Sequence, residues 1–254
     1  MTALKCAGTT VLDGCTAVLF DKDGTLVDIH HYWVSMIRLR SALLVERFAV
    51  DGPLSAEERI VEAMGVDRGT GRMKREGPVG VLPRPAIVAV SADVLRMMGH
   101  QVSEEDVEAC FAEVDRRSAA NLAPLVRVLP GVEGLLEDLG AAGVVSAVVT
   151  TDLSGRATGA LEVAGLLDRF EVVVGADEVA RTKPAPDLAV AAMEYLDVDP
   201  VRTAVVGDHP VDVDMAVAAG CGAAVGVLTG LADEAGFRSK PCVVAPDLTH
   251  LLVA

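Results

Sequence analysis

Aromatic residues are scarce in this sequence: five Phe, two Tyr and one Trp make up only 3% of its 254 residues. Hydrophobic residues nevertheless account for 51%, so the core has to be built from Ala, Val and Leu rather than from aromatic rings. A chain this apolar is not expected to be intrinsically disordered. Uninterrupted apolar runs of membrane-spanning length are also missing, which argues against a transmembrane protein.

Cysteines are few, odd in number and scattered. None of the five forms a Cys-x-x-Cys pair, so the pattern supports neither a structural zinc site nor a disulfide framework. The N-terminus likewise lacks the apolar stretch of a signal peptide before the first predicted strand. Together these absences predict a cytoplasmic protein with reduced thiols and no membrane partner.

Basic residues are too few to balance the acidic ones. The chain has 22 Lys and Arg against 37 Asp and Glu, a formal net charge of −15 at pH 7. This charge opposes binding to nucleic acid, because it repels the phosphate backbone over a broad surface. A small anionic substrate stays compatible with it, provided that a few local cations and a metal ion reverse the field. None of these features indicates the oligomeric state.

Short apolar runs rich in β-branched residues recur along the chain, each bounded by turn signals. Runs without polar alternation are typical of a parallel sheet that helices cover on both faces. From residue 144 onward they alternate with helix-like segments, a pattern that predicts a doubly wound α/β fold with right-handed crossovers. The predicted strands are 17–20, 144–149, 171–175, 203–207, 223–227 and 242–244, and the predicted helices between them are 154–167, 185–196 and 210–220.

The segment 29–124 breaks this alternation, because its apolar residues recur at helical spacing and no strand is evident. Ser55 with Glu58, and Ser103 with Asp106, fit the pattern of a capping box at a helix start. We therefore predict an α/β core domain formed by 1–28 and 125–254, with a helical cap domain, 29–124, inserted after the first strand.

Polar side chains follow the predicted strands at the point where each strand ends. Because the carboxyl ends of parallel strands meet at one edge of a sheet, these side chains are expected to converge on one crevice. A tight turn alone would explain the Asp-Gly pair after the first strand, but not the aspartate before it. The residues concerned are Asp21, Asp23, Thr150, Thr151, Asp152, Lys183, Asp208 and Asp212.

Four stretches in this order resemble the four motifs of the haloacid dehalogenase (HAD) superfamily. They are "DKDGTLVD" (21–28), "VVTTD" (148–152), "KPAPD" (183–187) and "GDHPVDVDMAVAAG" (207–220). A helical cap between the first and second motifs is similar to the phosphoglycolate-phosphatase-like branch of that superfamily. The resemblance implies a Rossmann-like core and hydrolase chemistry.

For a phosphatase of this superfamily, the resemblance assigns catalytic roles to the first motif. Asp21 would be the nucleophile that forms an aspartyl-phosphate, and Asp23 would protonate the leaving oxygen and then deprotonate the attacking water. The two-residue offset is expected to return Asp23 to the side of Asp21 while Lys22 turns away. Gly24 would permit the tight turn, and Thr25 would fix it by hydrogen bonding.

The resemblance also implies a Mg²⁺ cofactor, since this ion takes a few carboxylates and bridges to phosphate. Its ligands would be the side chains of Asp21 and Asp208 and the backbone carbonyl of Asp23. Asp212 would act through a water molecule or hold the lysine.

Substrate binding is assigned to the second and third motifs. Thr150 would hydrogen-bond a phosphoryl oxygen with help from backbone N–H groups near Thr151, and Lys183 would neutralise charge on nucleophile and phosphate. The superfamily commonly has Thr-Asn where this chain has Thr150-Thr151, and a small hydroxyl residue where it has His209.

These features predict a Mg²⁺-dependent phosphatase that hydrolyses a small phosphorylated metabolite, with a cap that closes over the substrate. Three alternatives stay open. A phosphomutase would share every core residue, a dehalogenase would not need Asp23, and a non-catalytic binding or regulatory protein would keep only the fold.

A glycine-rich basic loop, 65–80, lies within the predicted cap. Its cations (Arg68, Arg72, Lys74 and Arg75) either contact a carboxylate or second phosphate of the substrate or belong to a solvated loop, and we favour the solvated loop.

Overall fold

The structure is a computed structural model that describes residues 2–79, 82 and 84–254; Met1, Gly80, Val81 and Pro83 lie outside the described residues. The chain divides into two compact units. One comprises Met1–Ile29 together with Val126–Ala254, and the other comprises His30–Leu125. The assignment of these parts as a catalytic core and a cap stays a prediction.

The first unit contains all the strands of the described residues. In chain order they are β1 (Ala3–Cys6), β2 (Thr9–Asp13), β3 (Ala17–Phe20), β4 (Val145–Val149), β5 (Val172–Val174), β6 (Thr203–Gly207), β7 (Ala223–Val227), β8 (Val243–Ala245) and β9 (Leu251–Val253).

Helices flank the strands of this unit and form the other unit. They are α1 (Ile29–Arg47), α2 (Pro53–Ala63), α3 (Arg84–Met97), α4 (Glu104–Ala119), α5 (Val132–Ala141), α6 (Ser154–Val163), α7 (Asp187–Leu196), α8 (Pro210–Ala218) and the short α9 (Glu234–Phe237).

Six strands form a parallel sheet in the order β5-β4-β3-β6-β7-β8. β3 lies near the centre, where Phe20 is in register with Val148 of β4 and Val206 of β6. The first predicted strand therefore pairs with strands that lie far downstream. The predicted doubly wound sheet is confirmed, and the predicted strand ends differ from the observed ones by no more than one residue at each end.

Successive residues of β3 pack on opposite faces of this sheet. Phe20 belongs to a buried cluster with residues of α5 and α6 such as Leu135. Leu19 belongs to a second cluster with residues of α7 and α8 such as Leu188. Burial of each such side chain contributes about 1.5–3 kcal/mol, and burial on both faces explains why the strands lack polar alternation.

A second, three-stranded antiparallel sheet, with the order β2-β1-β9, joins the two ends of the chain. The N–H of Ala3 donates to the carbonyl of Ala254 at 2.7 Å, and the reverse bond is 3.0 Å. This sheet was not predicted. β2 is mostly exposed and β9 has only three residues, so neither carries a strong apolar signal.

The helical unit contains one of the two predicted capping boxes. The Ser103 hydroxyl accepts the N–H of Asp106, whose carboxylate accepts the N–H of Ser103, and this prediction is confirmed. The box predicted at Ser55 is wrong. α2 begins at residue 53, and the Ser55 hydroxyl donates to the carbonyl of Gly52 at 2.9 Å. The earlier start follows from the proline there, which suits the first position of a helix.

Arginine–carboxylate pairs join three helices of this unit. The Arg40 guanidinium of α1 donates to Asp115 of α4 at 2.8 Å, and the Arg84 guanidinium of α3 donates to the other oxygen of Asp115 at 2.5 Å. Arg84 also contacts Glu108 at 2.9 Å. The Arg40 guanidinium carbon lies 4.6 Å from the ring centroid of Phe111, so packing and charge act together here.

The basic loop is described from residue 65 to residue 79, and its last residue, Gly80, lies outside the described residues. Arg68 Nε lies 3.0 Å and Lys74 Nζ 3.8 Å from the Glu62 carboxylate, and all three side chains are exposed. Ion pairs of this kind contribute little to stability.

Among the described helices, none combines the length and apolar character that a bilayer crossing requires.

Candidate active site

The carboxyl ends of three adjacent strands, β4, β3 and β6, carry polar residues. Asp21 directly follows β3, and its N–H continues the ladder by donating to the carbonyl of Val206 at 2.9 Å. Thr150 directly follows β4, and Asp208 directly follows β6. The parallel register therefore brings these residues to one edge of the sheet, where ligands of open α/β folds bind.

Lys183, from the segment after β5, lies between two carboxylates. Its side chain is 2% exposed, and its ammonium donates to Asp21 Oδ1 at 2.5 Å. The same ammonium lies 2.7 Å from Asp212 Oδ1. Burial disfavours the charged lysine, but the attraction of Asp21 and Asp212 outweighs it, so the pKa of Lys183 lies above its ordinary value. Lys183 is therefore a permanently charged contact of Asp21.

Two buried carboxyl groups of this edge are hard to ionise. Burial, together with repulsion from Asp212 and Asp23, raises the pKa of Asp21 from 3.8 to about 6 despite the attraction of Lys183. Burial, followed by repulsion from Asp21 and Asp212, raises the pKa of Asp208 well above its ordinary range. Carboxyl groups with raised pKa values in one cluster mark a place where a cation would lower the electrostatic free energy.

The Asp208 carboxylate is enclosed by backbone from two loops. Gly24 has φ +86°, and a Cβ there would lie 2.5 Å from Asp208 Cγ. A Cβ on Gly230 would lie 1.6 Å from Asp208 Oδ2, which also accepts the N–H of Leu231 at 3.2 Å. The Thr229 hydroxyl donates to the carbonyl of Gly24 at 2.5 Å and ties the two loops together.

Asp212 is held by the start of α8. Its Oδ2 accepts the N–H of His209 at 3.0 Å while its Oδ1 faces Lys183. His209 Nδ1 accepts the N–H of Val211 at 3.3 Å, so the histidine acts as the cap of the helix. Of the two roles predicted for Asp212, the contact with the lysine is present.

The expectation that Lys22 turns away is wrong. Lys22 is buried, and its ammonium lies 2.7 Å from Asp23 Oδ1 and 3.4 Å from Asp152 Oδ2. The reason is that strand alternation ends at Asp21. The Lys22 carbonyl accepts the N–H groups of Leu26 and Val27, so the chain is already in a turn at residue 22.

Of the predicted phosphate-binding hydroxyls, Thr150 is buried and Thr151 is exposed. Thr150 Oγ1 accepts the N–H of Asp152 at 3.1 Å, which shapes the loop after β4. Within the part of the chain that the structure describes, the buried Thr25 hydroxyl has no hydrogen-bond partner, contrary to the expectation that it fixes the turn.

Residues of a further strand end were missed by the sequence analysis. Thr229, Gly230 and the N–H of Leu231 follow β7 and contact Gly24 or Asp208. The signal was available, because these residues stand two to four positions after the predicted strand 223–227, but their types are not distinctive for chemistry.

The carboxylate oxygens of this edge fit a magnesium ion whose coordination is completed by substrate and water. Among the described residues, no three His, Cys, Asp or Glu side chains form a preformed metal cage. Asp21 and Asp208 are buried, and mutual repulsion contributes to the raised pKa of Asp208. Mg²⁺ commonly binds through one or two carboxylates and retains waters and phosphate oxygens, so two buried carboxylates suit it.

Comparison with known proteins agrees with this arrangement. The family model described as "haloacid dehalogenase-like hydrolase" matches residues 15–220. The chain is 33% identical over 221 residues to "Probable phosphatase IndB" of Dickeya dadantii (strain 3937), which covers 84% of this chain and 81% of the relative. It is 29% identical over 246 residues to the phosphoglycolate phosphatase of Escherichia coli (strain K12), covering 93% of this chain and 91% of the relative.

Solved structures share the fold. A Thermotoga maritima protein described as a beta-phosphoglucomutase has a TM-score of 0.67 at 22% identity, covering 90% of this chain and 92% of its own. CbbY from Rhodobacter sphaeroides in complex with phosphate has a TM-score of 0.56 at 20% identity, covering 92% and 95%. At these identities the likeness concerns the fold alone.

The fold, the polar sheet edge and the family match define one class of enzyme: the chain belongs to the haloacid dehalogenase-like hydrolase family. The predicted resemblance to this superfamily and its phosphoglycolate-phosphatase-like branch is confirmed, as are the predicted fold class and the prediction of an enzyme of the phosphatase type.

Proposed function

We propose that this chain hydrolyses a small-molecule phosphate monoester through an aspartyl-phosphate at Asp21, with Mg²⁺ as cofactor. One observation carries the proposal. Asp21, a buried carboxylate at the carboxyl end of β3, is in contact with the buried Lys183 at 2.5 Å. Repulsion from Asp212 contributes to the raised pKa of Asp21, and repulsion from Asp21 contributes to the raised pKa of Asp208. This combination supplies a nucleophile and a cation to one phosphorus atom.

In the first step, Asp21 Oδ attacks phosphorus. A bond forms between this oxygen and phosphorus while the bond from phosphorus to the alcohol oxygen breaks, and Asp23 donates a proton to that oxygen. Lys183 holds one oxygen of Asp21, which leaves the other oxygen as the attacking atom.

In the second step, water attacks phosphorus of the aspartyl-phosphate. Asp23, now deprotonated, takes the proton of the water, and the bond from phosphorus to Asp21 breaks to release inorganic phosphate. Both carboxylates thereby return to their starting states, and the alcohol and phosphate are the products.

Substrate binding falls to Lys183 and the loop after β4. The lysine offsets charge on the phosphoryl group, and Asp212 keeps its ammonium in place by contact with it. The Thr150 hydroxyl and the backbone N–H of Thr151 serve as donors to phosphoryl oxygens.

Magnesium would be held by the side chains of Asp21 and Asp208 and by the backbone carbonyl of Asp23. When bound, it supplies positive charge that offsets the clustered carboxylates and polarises a phosphoryl oxygen. The enclosure of Asp208 by Gly24 and Gly230 fixes one of these ligands.

The proposed substrate class is a small phosphorylated metabolite. Phosphoglycolate is a candidate because relatives of 28–29% identity are named phosphoglycolate phosphatase. Sugar phosphates and nucleotides belong in the same test, because the residues proposed to bind substrate would contact the phosphate group and none is assigned to the alcohol.

The test is a panel of phosphate monoesters with Mg²⁺, with a chelator, and with the variants Asp21→Asn and Asp214→Asn. We expect turnover to need Mg²⁺ and Asp21. Asp214 lies on α8 and forms an ion pair with Lys240, which has no role in the proposed reaction, so the Asp214→Asn variant should stay active. Borohydride reduction during turnover should convert Asp21 to homoserine, which mass spectrometry detects. Substantial hydrolysis by Asp21→Asn would overturn the proposal, and recovery of an isomeric phosphate ester in place of free phosphate would identify a phosphomutase.

A further inference from the structure

Lys22 is a buried lysine that the proposed reaction does not use. Its side chain is 3% exposed, and its ammonium lies between Asp23 and Asp152. We infer that Lys22 is a positioning residue, which holds the Asp23 carboxyl group in place for proton transfer and is itself held by Asp152. The inference rests on the proposed function, because that function assigns proton transfer to Asp23.

Each of two buried lysines contacts two aspartates of the site. Lys183 contacts Asp21 and Asp212, whereas Lys22 contacts Asp23 at 2.7 Å and Asp152 at 3.4 Å. A buried ammonium requires counter-charges close by, since an uncompensated charge in a low-dielectric setting is strongly unfavourable. Asp152 provides one at all times and Asp23 provides one when it is deprotonated, and contact with the ammonium restrains both side chains.

Both ends of Lys22 are restrained. Its carbonyl accepts the N–H groups of Leu26 at 2.9 Å and Val27 at 3.0 Å, which holds the backbone of the turn. Its ammonium donates to Asp23 Oδ1, the neighbouring side chain. An adjacent pair with this restraint leaves Asp23 less rotational freedom than a solvated aspartate has, which is what a proton donor in a defined geometry needs.

Asp152 is fixed independently of Lys22. Its Oδ1 accepts the N–H of Leu153 at 2.8 Å and lies 3.4 Å from the Arg156 guanidinium, while its own N–H donates to Thr150 Oγ1. The loop after β4 therefore provides a rigid support for the lysine. Asp152 therefore holds the Lys22 ammonium in position, and Lys22 in turn holds the Asp23 carboxyl group.

A misplaced proton donor has a specific kinetic signature. An ester whose leaving alcohol is a weak acid, such as an alkyl phosphate, needs protonation of the leaving oxygen, whereas nitrophenyl phosphate releases a stable phenolate without it. The value of kcat/KM reports the steps up to departure of the alcohol. The ratio of kcat/KM for the two esters therefore isolates proton donation from general damage to the site.

The variant Lys22→Met removes the charge and keeps the length of the side chain. We expect kcat/KM for the alkyl ester to fall at least about 10-fold, and for nitrophenyl phosphate to fall by no more than about 3-fold. Lys22→Arg keeps a cation beside Asp23 and should recover part of the loss. Lys240→Met, which removes a lysine that pairs closely with Asp214 and has no role in the proposed reaction, should leave the ratio unchanged.

The double variant Lys22→Met with Asp152→Asn guards against a folding defect. It removes the Lys22 ammonium and the negative charge of Asp152 together, so Asp152 does not remain as a carboxylate that has lost its lysine. The double variant should therefore unfold at a higher temperature than Lys22→Met alone. Its ester ratio should nevertheless stay shifted, because Asp23 still lacks its support.

Equal losses on both esters, or no loss on either, in Lys22→Met or the double variant would overturn the inference while leaving the proposed function intact. A wild-type protein inactive toward every ester would overturn the proposed function, and this inference with it.

Discussion

Lys183 and Asp21 are 162 positions apart in the sequence, yet Nζ of the lysine lies 2.5 Å from Oδ1 of the aspartate. The contact exists because β3 and β4 are neighbours in the parallel sheet and β5 follows β4 at its edge. It is the point where the first and third sequence motifs meet.

Lys183→Met should damage both activity and stability. The buried Asp21 and Asp212 lose their shared cation, which costs about 3–5 kcal/mol for a broken buried pair. Loss of charge next to the phosphoryl group should lower kcat by about 10²–10³-fold. Urea unfolding and steady-state kinetics measure the two effects. Lys240→Met is the matched control, since that lysine pairs with a more exposed aspartate, Asp214, and its loss should cost less than about 1 kcal/mol.

The pH dependence of stability without metal follows from the raised pKa of Asp21 and Asp208. The folded state favours their protonated forms, so it binds more protons than the unfolded state. For Asp21 this holds between pH 3.8 and about 6; its stabilising contribution is complete below this interval and is lost as the pH rises through it, and the contribution of Asp208 is lost in the same direction. We expect the melting temperature of chelated protein, after correction for other groups, to fall over this range.

Asp208→Asn provides the variant for that experiment. It removes one buried negative charge and keeps an oxygen that accepts the N–H of Leu231. In the pH range where the Asp208 carboxyl group is ionised, it should raise the melting temperature of chelated protein by at least roughly 2 °C, and it should abolish the additional stabilisation that Mg²⁺ is expected to give the wild type. A lower melting temperature in the variant would contradict the assignment of Asp208 as a destabilising buried charge.

Gly230→Ala should disable the site by displacing a single carboxylate. The new Cβ would lie 1.6 Å from Asp208 Oδ2, so Asp208 or the loop has to move. We expect kcat/KM to fall at least about 10-fold, because a displacement of about 1 Å can cost 10²-fold. Gly236→Ala is the control, because the nearest atom to its Cβ would be 3.5 Å away. Full activity of Gly230→Ala, with Mg²⁺ dependence intact, would show that Asp208 need not stay in this position.

The two serines predicted as helix caps should differ in their effect on stability. Ser103→Ala removes a side-chain acceptor from the start of α4 and should lower the free energy of unfolding by about 1 kcal/mol. Ser55→Ala removes only a hydroxyl that donates to the carbonyl of Gly52, so a smaller loss is expected. Denaturant titration of the two variants compares them directly, and equal losses would contradict the observed start of α2.

The strands of the parallel sheet were predictable because both of their faces are buried, which produces continuous apolar runs such as Ala17–Phe20. The sequence analysis did not predict α5, although its buried residues Val132, Leu135, Leu136 and Leu139 recur at helical spacing. The sheet of β2, β1 and β9 was not predictable in the same way. Its strands pair the two ends of the chain, and β2 is largely exposed.

Within the candidate site, residue type and order along the chain were enough to select Asp21, Lys183, Asp208 and Asp212. The environment of Lys22 was not predictable, because alternation along a strand assumes that the strand continues. The turn after Asp21 directs the lysine toward Asp23 instead. Gly230 carried no signal because its importance depends on the closeness of Asp208, which no local pattern encodes.

The amino-acid sequence by itself determined the α/β alternation, the position of the helical segment and the chemical types of the groups at each strand end, because apolar periodicity and turn residues act over a few positions. Only the tertiary structure decided which lysine contacts which aspartate and how closely the backbone surrounds Asp208. Those distances depend on strand order and register, which join segments that are remote in the chain, and burial among them sets the pKa values.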